Sequence, residues 1–188
     1  DKGDELEKLE VKKKEFLKQI GLLSLKPKIL VCNVGENDLI DGNEHTKCIF
    51  KKYPNEKIIT ICADFEDQLS SLKGDEKLKF MKDTGLEKLG INKLIKSGYD
   101  LLDLQTFFTS GPEESRAWTI KKNTLAPKAA GVIHTDFEKK FIRAEAVDTN
   151  DFIKFGSAEK CKENGKLRIE GKDYIVNDGD VLFFRVNP

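Results

Sequence analysis

The sequence predicts an α/β segment followed by an α+β module, and three observations lead to that reading. Ile29, Leu30 and Val31 form an uninterrupted apolar run that leads straight into Asn33-Val34-Gly35-Glu36, the pattern of a parallel strand buried on both faces and ending at a ligand-side loop. A second run, Lys57 to Cys62 (KIITIC), repeats that texture and is followed directly by Ala63. From Leu104 onward the chain changes to short β-rich segments punctuated by Gly, Pro, Asn and Asp, which read as strands joined by tight turns.

Taken in order, Leu6, Leu9, Lys13, Phe16, Ile20 and Leu23 recur at alternating steps of three and four, the spacing of a helix with a narrow coiled-coil stripe. Two readings are open for it, the returning arm of a coiled coil or an ordinary amphipathic surface helix. Gly21 and Pro27 end it, and the Lys28 to Glu36 strand and loop follow. Between Asn37 and Pro54 the polarity predicts a loop and then a short helix. Gly74-Asp75 opens a helix through Lys82, with Asp75 as N-cap and Gly85 as the left-handed stop. Leu86, Leu89, Ile91, Leu94, Ile95, Leu101 and Leu102 give a second helix a broad apolar face.

In the β-rich part, Gln105 to Ser110 and Ser115 to Lys121 flank Gly111-Pro112 as a hairpin, with Trp118 and Ile120 facing one way. Pro127 starts a helix of small residues running to His134. Phe141 to Val147 returns as a strand with Ile142, Ala144 and Ala146 inward. After a mixed segment containing Phe152 and Phe155, Arg168 to Val176 reads as a hairpin around Gly171-Lys172, and Asn177 to Asp180 turns the chain into a last strand, Val181 to Val186. That order matches a β-grasp, ubiquitin-like module. Leu182, Phe184 and Val186 would fill its core, leaving Val181, Phe183 and Arg185 on the other face. Phe183 beside Arg185, near Arg143, is a candidate surface for stacking on bases or meeting a partner; that Phe183 is instead covered by other parts of the chain stays open.

Composition narrows the function classes. Lys plus Arg equals Asp plus Glu, 33 of each, so no global basic field announces nucleic acid and any RNA contact needs a local patch. Cys32, Cys48, Cys62 and Cys161 are scattered without a C-x-x-C pair, which disfavours zinc and reads as reduced cytosolic thiols. No apolar run has the length of a membrane span and no signal peptide opens the chain, so a soluble cytoplasmic protein with no membrane partner is expected. His134-Thr135-Asp136 has no nucleophile at a recognisable spacing and reads as a helix-terminus cap. His45 reads as exposed. No catalytic residue and no metal site is predicted.

The residues after the first apolar strand carry a resemblance. In P-loop GTPases that position holds Asn-Lys-x-Asp, where Asn meets the base, Lys covers the ring and Asp accepts from guanine N1 and N2; here Val34 stands for the Lys and Glu36 for the Asp. The altered signature resembles the YchF, or Obg-like ATPase, family, whose motif is Asn-x-x-Glu and which is associated with ATP rather than GTP. Adenine offers no N1-H and N2-H pair to an Asp, while an Asn amide can bond adenine at N6 and N7. Family-like blocks continue in register: Thr109 to Gly111, Arg116 to Lys121 (RAWTIK), Ala126 to Phe137 (APKAAGVIHTDF), Phe141 to Glu145 (FIRAE) and Gly171 to Val181 (GKDYIVNDGDV). The resemblance extends from Leu25 to Asn187.

What it implies is a C-terminal half: residues 1–24 the end of a coiled-coil helical arm, 25–103 the C-terminal part of a P-loop nucleotide-binding domain, and 104–188 a TGS domain of β-grasp type. Asn33, Val34 and Glu36 would select the base, with Cys62-Ala63 supporting it through the main chain, although Cys62 as a plain core residue stays open. ATP, or less readily GTP, would bind with Mg²⁺ in the full-length protein, and the TGS domain would meet the ribosome or ribosomal RNA. Residue 1 is Asp, not Met, and the phosphate-cradling G-x-x-x-x-G-K-[ST] is missing: Gly165-Lys166 and Gly171-Lys172 are followed by Leu167 and Asp173, so neither qualifies. No Asp-x-x-Gly occurs either. The expectation is a fragment, inactive alone, that lacks an N-terminal half. A non-catalytic β-grasp adaptor for RNA or a protein is the alternative.

Overall fold

The two apolar runs form the strands expected of them. β1 (Ile29–Asn33) and β2 (Lys57–Ile61) pair in parallel, with Ile29 opposite Lys57 and Asn33 opposite Ile61. A parallel pair needs a crossover, and α1 (Glu44–Lys52) supplies it. Asn43 starts α1 with a reciprocal cap: its Oδ1 accepts from the Thr46 N–H at 3.0 Å, and Thr46 Oγ1 accepts from the Asn43 N–H at 2.8 Å. The structure, a computed structural model, describes residues 16–17, 19–23, 26–72, 76 and 89–187. The chain divides into two units, Asp1–Leu101 and Leu102–Pro188.

α2 (Ala63–Ser71) begins directly after β2, a helix the sequence reading did not assign. Its apolar positions are few, but Cys62, Phe65 and Leu69 are spaced by three and four and are all buried, packing with Leu39, Leu72 and Leu89. α3 (Gly90–Leu101) follows. The Glu66 carboxylate on α2 accepts from the Gly90 N–H and, at 3.2 Å, from the Ile91 N–H, closing the start of α3 with a negative charge where helix N-termini favour one. Gly90 is required there, because a Cβ would lie 2.7 Å from Ile61 Cγ2.

Two expectations for this unit are corrected. β1 is not buried on both faces: Val31 is 43% exposed and Ile29 and Leu30 are half-buried, because among the described residues the sheet has only these two strands. The broad apolar face of α3 is likewise partly open, with Ile91 and Ile95 exposed. Residues 86–88 of that expected helix lie outside the described residues, as do the helix expected over 74–82 apart from Glu76, and the arm residues before Phe16.

In the second unit, β3 (Leu104–Ser110) and β4 (Ser115–Lys121) form the antiparallel hairpin. α4 (Ala126–Ile133) follows with Pro in its first turn, then α5 (Thr135–Lys139), β5 (Phe141–Asp148), α6 (Thr149–Phe155), α7 (Ala158–Glu163), β6 (Arg168–Glu170) and β7 (Asp180–Val186). The sheet order is β4-β3-β7-β5-β6, with β3 and β7 parallel. Ala126, Ala129 and Ala130 of α4 are fully buried against Phe107, Ile120, Phe141, Ala144, Ala146, Val176 and Leu182. Their small side chains let the helix lie close on the sheet, so the large residues of the strands fill the layer. Phe107 sits at its centre, 6.5 Å from the Trp118 ring and 5.9 Å from Phe184.

Three details differ from expectation. Ile142 is 53% exposed while Phe141 is buried, because a register shift between Phe141 and Arg143 reverses the alternation at that point. Residues 168–176 are not a hairpin: β6 pairs with β5, and Ile175 bridges instead to Leu125. Val181 is buried although it points away from α4, because the mixed segment is helical and α6 packs on that face of β5 and β7.

A polar network holds the turn into β7. The buried Asp180 carboxylate accepts from Arg168 Nη2 at 3.0 Å, from the Tyr174 hydroxyl at 2.6 Å and from the Asn177 N–H at 2.9 Å. Replacing Asp180 by Ala removes the acceptor from the Tyr174 hydroxyl and the Asn177 N–H, while Arg168, about half exposed, keeps Glu170 at 3.7 Å. The change should cost about 1–3 kcal/mol of stability, read as a lowered urea midpoint; an unchanged midpoint would show that the network only decorates the turn. Burial, and then the hydrogen bond to Asp180, raise the Tyr174 phenol above its ordinary value of 10.0. The folded protein therefore keeps this proton where the unfolded chain has lost it, so the contribution is intact below the unfolded value and falls as pH rises above it.

Candidate functional site

The carboxyl ends of β1 and β2 lie side by side, where ligands of parallel sheets bind, and one side chain joins them. Asn33 Oδ1 accepts from the Ala63 N–H at 3.0 Å, and the Val34 N–H donates to the Ile61 carbonyl at 2.9 Å. Because Ala63 presents a donor, the amide must turn its oxygen toward α2, which leaves Nδ2 as the outward group. A purine offers that donor N7, which adenine and guanine share. The Asn33 amide is thus fixed by its oxygen and presents a donor at the mouth of the strand pair.

Val34 is half-buried, and Gly35 is extended before the single turn Glu36–Asp38. Asp38 ties that turn to α1, accepting from Asn43 Nδ2 at 2.9 Å. Glu36 is exposed, and among the described residues no hydrogen bond or ion pair engages its carboxylate, so it is available as an acceptor. Cys62 is 3% exposed and its side chain belongs to the core beneath α2; at this position only the main chain and the exposed Ala63 reach the loop. The structure therefore brings Asn33 to Ala63 and turns the Cys62 side chain away from both.

The second candidate surface lies on the face of the five-stranded sheet opposite α4. Arg143 stands opposite Arg185, and Glu145 opposite Phe183. Glu145, which the sequence reading did not single out, accepts from Arg185 Nε at 3.2 Å and Nη2 at 2.9 Å, and from Arg143 Nη2 at 3.5 Å. The Arg185 hydrogen bond, foremost, holds the Glu145 carboxyl below its ordinary range. Two guanidinium groups thus share one carboxylate and leave a single positive charge in excess. Phe183 is half-buried, with its ring 6.2 Å from Phe152 of α6. Residues of this face, among them Phe183 and Arg185, line a groove of about 570 Å³ with Pro112 of the hairpin and Ser157.

His134 ends α4 and caps α5, its Nδ1 accepting from the Asp136 N–H at 3.2 Å, and His45 is exposed on α1. Among the described residues no group of three or more His, Cys, Asp and Glu side chains is arranged to hold a metal ion, and no helix is long and apolar enough to cross a membrane.

Comparison with known proteins gives a consistent set of relatives. A family model named YchF-GTPase_C, described as "Protein of unknown function (DUF933)", matches residues 104–187. The chain is 45% identical over 177 residues to the "Ribosome-binding ATPase YchF" of Bacillus subtilis, covering 92% of this chain and 48% of that protein. It is 40% identical over 178 residues to "Obg-like ATPase 1" of Danio rerio, covering 92% of this chain and 45% of that protein. Among solved structures it resembles one described as "Structure of the Schizosaccharomyces pombe YchF GTPase", with a TM-score of 0.76 at 35% identity, covering 91% of this chain and 46% of that one. The chain thus spans about half the length of the curated relatives it matches.

Proposed function

Because this chain belongs to the YchF, or Obg-like ATPase, family, we propose that it is the C-terminal portion of a ribosome-associated, cytoplasmic P-loop nucleotide hydrolase that prefers ATP to GTP. The observation that carries the reading is the Asn33 to Ala63 hydrogen bond, which joins the two loops at the ligand end of a parallel strand pair. In this reading Asn33 holds N7 of the purine, the Ala63 main chain frames the ring, Val34 lies along it and Glu36 selects adenine. Residues 1–24 are the end of a coiled-coil arm and 25–103 the base-reading part of the nucleotide domain.

Residues 104–188 are a TGS domain in this proposal. The sheet order β4-β3-β7-β5-β6 with its parallel first and last strands, and α4 across one face, supports a β-grasp assignment. Its Arg143, Phe183 and Arg185 face is the side offered to the ribosome or ribosomal RNA. This arrangement of groups fits a base: a side-chain amide, a free carboxylate and a main-chain edge. It does not fit a triphosphate, so Mg²⁺ and the phosphates are assigned to parts of the full-length protein outside this chain. Mg²⁺ there would neutralise charge developing on the transferred phosphoryl group.

The purified chain incubated with Mg·ATP or Mg·GTP should therefore release no phosphate above a mock-purified control. Magnesium-dependent turnover that follows the protein through a second column would overturn this division of labour. In the full-length protein, calorimetry should show ATP binding that Asn33→Ala weakens; binding unaffected by that change would place the base elsewhere.

A further inference from the structure

Along the outer side of β2 runs a groove of about 830 Å³ that the base site does not use. Lys57, Ile58, Ile59 and Thr60 all line it, together with Ile40, and α3 forms the opposite wall. Alternate residues of a strand point to opposite faces, so four consecutive ones can line a single groove only where the strand is met edge-on. The hydrogen-bond pattern identifies that edge. The Ile61 carbonyl receives the Val34 N–H, so Ile61, Ile59 and Lys57 direct their main-chain groups at β1, and Ile58 and Thr60 direct theirs outward. Among the described residues no strand pairs with β2 on this side.

The rim is positive. Lys57, Lys93 and Lys96 line the groove with one carboxylate, Asp100, and among the described residues no ion pair engages any of the three lysines. Ile40, 69% exposed, gives the groove an apolar end. We propose that this edge is a docking site for an extended acidic peptide of a partner protein, which adds as a strand to β2 and sets its carboxylates against Lys57, Lys93 and Lys96. Main-chain bonds to Ile58 and Thr60 hold the strand, and the lysines choose it by charge. A second copy of this chain is a poor occupant, since two such edges would bring three lysines against three like charges.

The test uses the full chain and a fluorescein-labelled nine-residue peptide of alternating valine and glutamate. Controls are the same peptide with lysine for glutamate, one N-methylated at alternate residues, and a single-stranded oligoadenylate. The acidic peptide should bind, shift the amide resonances of Ile58 and Thr60, and lose at least tenfold in affinity with K93E/K96E. Thr60→Pro removes only an outward N–H, which an edge strand tolerates, and should abolish binding while circular dichroism is unchanged; if that variant misfolds, the amide shifts in the unaltered chain decide. Equal binding of the N-methylated or lysine peptide would overturn the proposal. So would oligoadenylate displacing the acidic peptide, which would make the lysines a phosphate site, or sedimentation showing that the edge pairs with a second copy.

Discussion

In the full-length protein, V34K/E36D should move base preference from ATP toward GTP by a large factor. A site whose polar groups are left unpaired by the wrong ligand rejects it by up to roughly 10⁴-fold. In the proposed reading Asn33 gives no help either way, because its oxygen is held by Ala63 and its outward donor would meet an atom that both purines carry. Glu36 is exposed and unengaged, so shortening it should not disturb the fold, and Asp38, not Glu36, ties the turn to Asn43. Asn33→Ala serves as the control: it should weaken both nucleotides by roughly tenfold, the worth of about one hydrogen bond, and leave their ratio unchanged. Competition of labelled ATP by GTP measures both. A double variant that keeps the parental ratio would remove residues 33–36 from base reading.

Hydrogen exchange in the dilute chain should divide sharply between the two units. β1 and β2 are five residues each and among the described residues make a two-stranded sheet, with Val31 and the neighbouring Ile40 at 43% and 69% exposure; β5 and β7 lie inside a five-stranded sheet over a core with Phe107, Ala144 and Leu182 fully or almost fully buried. Two strands rarely hold alone in water, and local opening free energies run from near zero to the global value. Amides of β5 and β7 should exchange about 10³-fold more slowly than those of β1 and β2, a difference of about 4 kcal/mol. Equal slow exchange in a monomer would mean that the first unit is self-sufficient.

Much of this architecture was legible because local signals agreed with the tertiary outcome. Ile29 to Val31 and Lys57 to Cys62 have strand composition, and Gly111-Pro112 sits where a turn must. The misses have separate physical causes. α2 follows β2 with no Gly or Pro between them, and its core contacts reduce to Phe65 and Leu69. Residues 168–176 carry a Gly-Lys pair that imitates a hairpin turn, yet the Tyr174 hydroxyl is needed at Asp180, six residues on, so the chain that could reach about 20 Å if extended folds back on itself instead. Ile142 was assigned inward by parity, and a bulge breaks parity without marking the sequence. In the site, Asn33 and Glu36 stood out by type and position. The orientation of Asn33 did not, because it depends on a main-chain N–H thirty residues away, and Glu145 carries no sequence signal because its main partner, Arg185, is brought to it by strand pairing.

The Glu66 carboxylate that closes the start of α3 has a consequence for how this chain tolerates insertions. It joins α2 to Gly90 and Ile91 at Glu66, a single turn of helix from Ala63, so the start of α3 is tied directly to α2. Extra residues placed between Leu72 and Leu89 therefore leave Ala63 and its bond to Asn33 in place as long as the Glu66 contact holds. Length variation should accumulate there, and be excluded from the few residues between Cys62 and Glu66.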